Sequence, residues 1–511
     1  MNVKLLLVYS TLVLLAGFLL FYKLDNRLLW GDEAETALLA QNIIKFGIPK
    51  VTDGKNYITV LGRGQDSNKN DIWVWAPWLD KYVTAASFCL FGKSTFAARF
   101  PFALIALLSV VSLLFVTQRL YHNHELTIVA ALLYITNVAF LLHARQCRYY
   151  AVLALAQIWL LYGYELLITA QPKKGGLYIV LALAAQFYCN YIVIPANILS
   201  LCIAAALICR KHRNLLRDLL ICLTGFALLT IPWLVYAKPW HQSNKIVLSD
   251  FGKNIIYYLS EVHFYITPLV LVLIIPIWYF SNRRKQSSMA GGLAMKDTEI
   301  LLWILVPAQL IVLSIPSALF FRYLMPLIPV LIILTSVILV NYIRPPVFRY
   351  LLILILCCSN VIAVFTADPL RTQHSVDMPF VQFIREITSN YEDRFKDVLC
   401  YLRKNANPNE SVFVPDSEFP LIFYTDMRVI NGRLIKTMNI NDLPDWIFSE
   451  SASGVIPYSP IQLSAPLLKI YEPITLNVHD TFRSANRPSP EVHVSFTASE
   501  MTQLVIYKKI R

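Results

Sequence analysis

Eleven apolar runs, most of them close to twenty residues long, limit what this chain can fold into. They lie at 3–22, 100–118, 126–142, 150–168, 177–189, 192–209, 217–236, 264–280, 299–316, 323–342 and 350–366. A helix needs about 20 apolar residues to cross a bilayer core of about 30 Å. The chain of 511 residues is 57% hydrophobic, with a mean hydropathy of +0.54. An ordinary soluble domain is roughly 45–50% apolar. The sequence therefore predicts a polytopic α-helical membrane protein with about eleven transmembrane helices. The 177–189 run is short, but 177–209 is too long for one helix and breaks at Cys189-Asn190-Tyr191. The first run follows Lys4 and lacks a small-x-small cleavage site, so it reads as an uncleaved anchor.

The net charge of +13 belongs to the loops between these runs, which favours a membrane topology signal over nucleic-acid binding. With the N-terminus on the cytoplasmic side, fourteen short-loop Lys and Arg, from Lys4 to Arg349, fall there. Only Arg145, Arg148, Lys238, Lys245, Lys253 and Arg322 fall opposite. An odd number of spans then puts the C-terminus outside. Nine scattered cysteines with no CxxC pair support neither a zinc site nor a disulfide framework.

The sequence divides into a membrane domain, 1–366, with a long first outer loop, 23–99, and a C-terminal extracytoplasmic α/β domain, 367–511. In the loop, Asp32 to Phe46 has helical spacing and stops at Gly47 and Pro49. Asp32 with Glu35 resembles a capping box. Pro77 to Phe91 is apolar but too short to span, and reads as a helix lying in the interface. Trp73, Trp75 and Trp78 suit the headgroup level. In the outer domain, 380–404 has helical periodicity. Ser411–Pro415, Leu421–Thr425, Val492–Phe496 and Leu504–Lys508 read as strands.

Polar residues gather at the outer ends of the spans: Asp32, Glu33, Arg145, Arg148, Tyr149, Tyr257, His263 and Arg322. No ionisable residue sits clearly at mid-span, where transporters and pumps carry them. Asp32 admits two compatible readings, helix cap and general base. Glu33 is a second acid or a first-turn partner of the helix dipole. Arg322, Arg145 and Arg148 break the charge bias of the other face. Each reads either as an interfacial anchor or as a phosphate ligand. Tyr149, Tyr257 and His263 are candidates for substrate contact, although a lone histidine is ordinarily a hydrogen-bonded structural residue.

Several stretches resemble the polyprenyl-phosphate-sugar-dependent glycosyltransferases of GT-C type, which include the protein O-mannosyltransferases and the lipid A aminoarabinose transferases. The Asp32-Glu33 pair after the first span is similar to theirs. So are Gly92 with Phe96-Ala97-Ala98-Arg99-Phe100-Pro101, and Ala144-Arg145-Gln146-Cys147-Arg148-Tyr149-Tyr150-Ala151. Tyr257-Tyr258 with Pro268, Arg322-Tyr323-Leu324-Met325-Pro326 with Pro329, and the outer-domain start from Val398 to Thr425 continue the match in order. The chain departs from the pattern at Trp75-Ala76-Pro77, where many members carry Lys-Pro-Pro; a lysine's role toward the donor phosphate then falls to Lys81 or Lys69. Ala151-Val152-Leu153-Ala154 lacks the second acid of the protein mannosyltransferases.

The resemblance implies transfer of a sugar, with inversion, from a polyprenyl-phosphate donor to a hydroxyl of an envelope glycolipid or protein. Asp32 would be the base and Glu33 a neighbour that orients the acceptor. Arg322, Arg148 and Arg145 would hold the phosphate, with Tyr323 in support. Such a single displacement needs no metal and no cofactor beyond the lipid-linked sugar. The bacterial inner membrane is the implied location. A lipid-linked saccharide flippase and a non-catalytic assembly protein are the alternatives.

Overall fold

The computed structural model describes residues 3–62, 64–169, 171–241, 248–273, 296–343, 345–367, 375–389, 394–415, 418–425, 427–431, 443–448, 469–479 and 501–510. The chain forms two compact units. One comprises chiefly Met1–Tyr22 and Phe102–Arg385; the other comprises Lys23–Pro101 with Glu386–Arg487 and Glu491–Arg511. The 23–99 loop thus shares a unit with the C-terminal region.

The first unit is helical. It contains α1 (Val3–Phe21), most of α4 (Thr95–Tyr121), α5 (His124–Thr136), α6 (Val138–Ala144), α7 (Tyr150–Ile168), α8 (Pro172–Cys189), α9 (Ile194–Ile208) and α10 (Leu215–Ala237). It continues through α11 (Phe251–Tyr265), α12 (Asp297–Leu313), α13 (Leu327–Tyr342), α14 (Pro346–Cys358), α15 (Val361–Ala367) and α16 (Pro379–Thr388). Among the described residues five helices are long and apolar enough to cross a membrane, or up to seven if each of two bent pairs is one span. The protein is therefore a multi-pass membrane protein, with fewer qualifying spans than the eleven apolar runs predict. The C-terminal part of the 264–280 run lies outside the described residues. α1 and α10 carry outward apolar side chains, Leu14 at 73% and Leu228 at 70% exposed, which suits lipid rather than water as solvent.

Both bends have side-chain causes. α5 and α6 meet at 61° at Asn137, whose side chain accepts from Phe140 N–H and donates to the Tyr265 carbonyl. α14 and α15 meet at 90°. There Ser359 Oγ donates to the Asp377 carbonyl, and Asn360 accepts from Asp377 N–H at 2.8 Å.

α7 and α8 cross at a pair of small residues. A Cβ on Gly175 would lie 2.6 Å from Gly163 O and 2.8 Å from Leu167 N. Backbone cannot yield as a flexible side chain can. Gly175→Ala is therefore expected to cost about 1–3 kcal/mol through overpacking. Thermal unfolding of purified protein in detergent checks this; an unchanged transition contradicts the close crossing.

The second unit contains α2 (Gly31–Phe46), α3 (Leu79–Phe91), α17 (Arg394–Asn405) and α18 (Glu418–Tyr424). Its sheet has the order β2-β1-β3-β5-β4. β1 (Ser411–Val414) pairs in parallel with β2 (Arg428–Asn431) and β3 (Trp446–Phe448). β5 (Met501–Lys509) runs antiparallel between β3 and β4 (Tyr471–His479). Phe413, Ile430, Ile447 and Tyr471 form its apolar centre.

The sequence expectations are corrected at several points. The 380–404 helix is two helices, α16 and α17, and Leu421–Thr425 lies in and just after helix α18 instead of forming a strand. Phe419, Leu421, Ile422 and Phe423 are all buried, so the segment is apolar on every face and shows neither period. Val492–Phe496 lies outside the described residues. α2 starts at Gly31, so Asp32 sits inside its first turn and is not the cap. The carboxylate that reaches back to the Trp30 N–H is Glu33, at 3.4 Å, not Glu35. Gly47 ends the helix in the left-handed region at φ 78°, as the sequence predicts. Trp73 is fully buried and its carbonyl accepts from Trp78 Nε1, so it belongs to the loop's core and not to a headgroup belt.

Candidate functional site

In the second unit the candidate site is the turn into α2. Glu33 is fully buried and binds Arg99 through two parallel bonds, Nε to Oε1 at 2.8 Å and Nη2 to Oε2 at 2.6 Å. Arg99 also donates to the carbonyls of Leu24, Arg27 and Leu28. One guanidinium thus ties the chain leading into α2 to the first turn of that helix. From α18, the Tyr424 hydroxyl accepts from Leu29 N–H at 2.9 Å and shares a 2.6 Å bond with Thr95. Burial pushes the Tyr424 hydroxyl up to about 12, so it remains a neutral donor and acceptor.

Asp32 lies one residue before Glu33 in this fixed turn and is half-buried. The two adjacent acids therefore differ in environment: Glu33 is enclosed by Arg99, whereas Asp32 stays within reach of solvent. Glu33, which the sequence reads as a second acid or a first-turn partner of the helix dipole, is buried and fixes the turn through Arg99. Lys81 is 1% exposed and paired with Asp80 at 3.0 and 3.2 Å, so its ammonium is turned to its neighbour. Lys69 is exposed on the loop. That loop is organised by Asp66, whose Oδ2 accepts from Thr59 Oγ1 and from Val60 and Leu61 N–H. Burial raises the Asp66 carboxyl above its ordinary value, against the pull of those bonds.

In the first unit the candidate residues gather around the start of α7 and the 3-10 turn Phe321–Leu324. Arg148 is buried and stands over the Tyr149 ring at 5.4 Å. Tyr149 lies close enough to Arg148, Arg322, Tyr150 and Tyr323 to interact electrostatically with all four. Its hydroxyl accepts from Asn190 Nδ2 at 2.8 Å. Arg322 is stacked over Phe320 at 3.9 Å, with Tyr323 at 6.0 Å. The structure thus brings together Arg148, Tyr149, Arg322 and Tyr323.

Arg145 is placed differently. Its guanidinium donates to the carbonyls of Leu19 and Tyr22 at the end of α1, where a cation complements the helix dipole. His263 is also structural in its bonding. Its Nδ1 accepts from Leu269 N–H, so Nε2 carries the proton and donates to Ala363 O at 2.9 Å. It joins α11 to α15. Tyr257 is half-buried and packs edge-on to the fully buried Tyr258. No group of three or more His, Cys, Asp or Glu that could hold a metal occurs among the described residues.

Sequence reasoning missed several residues. Arg99 and Tyr424 stood inside quoted motifs but received no role. His143, 1% exposed and packed against Phe321 and Tyr150, and the buried Glu261 carried no pattern of their own.

A sequence model of the family described as dolichyl-phosphate-mannose-protein mannosyltransferase matches residues 76–236. The curated proteins contain no match in sequence. Among solved structures, ArnT from Cupriavidus metallidurans bound to undecaprenyl phosphate matches with a TM-score of 0.62 at 14% identity, over 99% of this chain and 98% of that one. The apo form of ArnT from the same organism matches with a TM-score of 0.55 at 15% identity, over 83% and 85%. The chain thus resembles the GT-C glycosyltransferases, in sequence over 76–236 and in fold over nearly its whole length.

Proposed function

We propose that this protein is an integral-membrane glycosyltransferase that moves a sugar from a polyprenyl-phosphate donor to a hydroxyl of a cell-envelope acceptor, a glycolipid or a protein. The observation that carries the reading is the fold shared with a protein solved with undecaprenyl phosphate. The residues support it independently: a half-buried carboxylate in a turn held by Arg99 and Tyr424, and a guanidinium pair set among tyrosines.

In this reading Asp32 takes the proton of the acceptor hydroxyl as its oxygen attacks the anomeric carbon from the face opposite the phosphate. The bond between that carbon and the phosphate oxygen breaks, its electron pair leaves with the phosphate, and the configuration inverts. Arg148 and Arg322 stabilise the departing phosphate through charge-assisted donors. Such preorganised charge contributes on the order of 3–4 kcal/mol in a water-poor site. Tyr149 and Tyr323 pack beside the two guanidinium groups. Arg145 is assigned to α1 and Lys81 to Asp80, so neither is given the phosphate here. The single displacement needs neither an enzyme nucleophile nor a metal. The acceptor faces the periplasm of a bacterial inner membrane.

Purified protein in lipid nanodiscs, supplied with polyprenyl-phosphate-linked sugar, tests the reading through mass analysis of the products formed on envelope glycolipids and proteins. Arg322→Ala is expected to weaken binding of undecaprenyl phosphate by about tenfold or more, since hydrogen bonds to charged groups contribute about 1.5–3 kcal/mol. Arg322→Lys restores little, because a point charge lacks the paired donors. Unchanged lipid binding in both variants would remove Arg322 from the phosphate.

A further inference from the structure

Four amide side chains, drawn from four separate apolar runs, meet inside the first unit. Gln157 of α7, Gln186 of α8, Asn197 of α9 and Gln309 of α12 are each fully buried. Asn197 Nδ2 donates to Gln186 Oε1 at 2.7 Å and to Gln157 Oε1 at 3.1 Å. Gln186 Nε2 donates to Gln157 Oε1 at 2.9 Å. Gln309 Nε2 donates to Asn197 Oδ1 at 2.8 Å. One node therefore links four helices, and every member bonds at least one other.

Two of these helices lead to the guanidinium pair. α7 begins immediately after Arg148-Tyr149, and Gln157 lies seven residues into it, about 10 Å along the axis. Gln309 lies four residues before the end of α12, and the chain then runs to the turn that carries Arg322. α8, which bears Gln186, ends at Asn190, the donor to Tyr149. Between these helices, apolar side chains alone would tolerate axial slippage, because packing of Leu against Leu is similar in neighbouring registers. The five bonds among these amides can form in one register only. The node holds no ionisable group, so it does not resemble a transporter's ion path.

We propose that the Gln157–Gln186–Asn197–Gln309 node is a positioning element that fixes the axial register of α7, α8 and α12 and thereby the spacing of Arg148, Tyr149 and Arg322. The proposal rests on the function proposed above. The test compares Gln309→Met with Gln309→Glu in nanodiscs, with undecaprenyl phosphate as the probe. Methionine keeps the shape and removes the amide. Glutamic acid at a fully buried position stays protonated, so its O–H keeps the donor toward Asn197 Oδ1.

Gln309→Met is expected to weaken undecaprenyl-phosphate binding by about tenfold, within the range for residues that act through a network. Gln309→Glu is expected to bind as wild type does, and both variants should insert and fold. A combined variant, with Gln157, Gln186 and Gln309 replaced by Met and Asn197 by Leu, leaves no amide unsatisfied. It is expected to fold yet bind weakly. Equal binding by Met and Glu variants, or wild-type binding by the combined variant, would overturn the proposal. Absence of lipid-phosphate binding in the wild type would instead overturn the functional reading, and the proposal with it.

Discussion

Glu33→Leu is expected to destabilise the second unit by about 3–5 kcal/mol, because it leaves the Arg99 guanidinium buried without its carboxylate. The size follows from the geometry. Both groups are nearly inaccessible to water, Glu33 at 0% and Arg99 at 8%, and two bonds of 2.6 and 2.8 Å join them. Removing one partner exposes the full desolvation penalty of the other. Removing both is different: Glu33→Leu with Arg99→Leu eliminates the stranded charge, but it also strips the donors from the carbonyls of Leu24, Arg27 and Leu28. The double variant should therefore recover only part of the loss. Glu33→Gln retains an acceptor and should be milder than Glu33→Leu. Thermal unfolding in detergent, followed with limited proteolysis of the 23–101 segment, reads these differences. A Glu33→Leu protein that melts with wild type would show that the pair does not hold the turn.

Much of the membrane part was legible because its physics is one-dimensional. A run of apolar residues announces a helix in lipid whatever its neighbours are. α2 was equally plain, since Leu38, Leu39, Asn42, Ile43 and Phe46 repeat at helical spacing and Gly47 closes it. Its start was read one turn feature too late. Asp32 and Glu35 fit the cap pattern better than Trp30 and Glu33 do, since an indole has no acceptor oxygen, and the partner Arg99, 66 residues away, is what favours Glu33. The same limit hid the amide node: Gln157, Gln186, Asn197 and Gln309 lie in four separate runs, and nothing local says that they meet. α18 reads as a strand because a short helix buried from Glu418 to Phe423 has no exposed polar face to reveal its period. Arg145 and Lys81 show the converse limit. A cation at a span's end suits a phosphate, a helix terminus or a neighbouring acid equally well, and the choice belongs to three-dimensional contacts.

Asp32 carries the account. Its neighbour Glu33 is enclosed by Arg99, whereas Asp32 is half-buried, which is why the proposed chemistry is given to Asp32. A positioned general base contributes about 10²–10⁴-fold to a transfer rate. Asp32→Asn preserves size and polarity, and the Glu33–Arg99 pair and Tyr424 still hold the turn, so folding and lipid-phosphate binding should persist. The decisive measurement is the rate of sugar transfer from a polyprenyl-phosphate donor by purified Asp32→Asn protein in nanodiscs, beside wild type with matched melting temperature and undecaprenyl-phosphate affinity. The account predicts a rate lower by at least about a hundredfold. A rate within a few-fold of wild type would contradict Asp32 as the base.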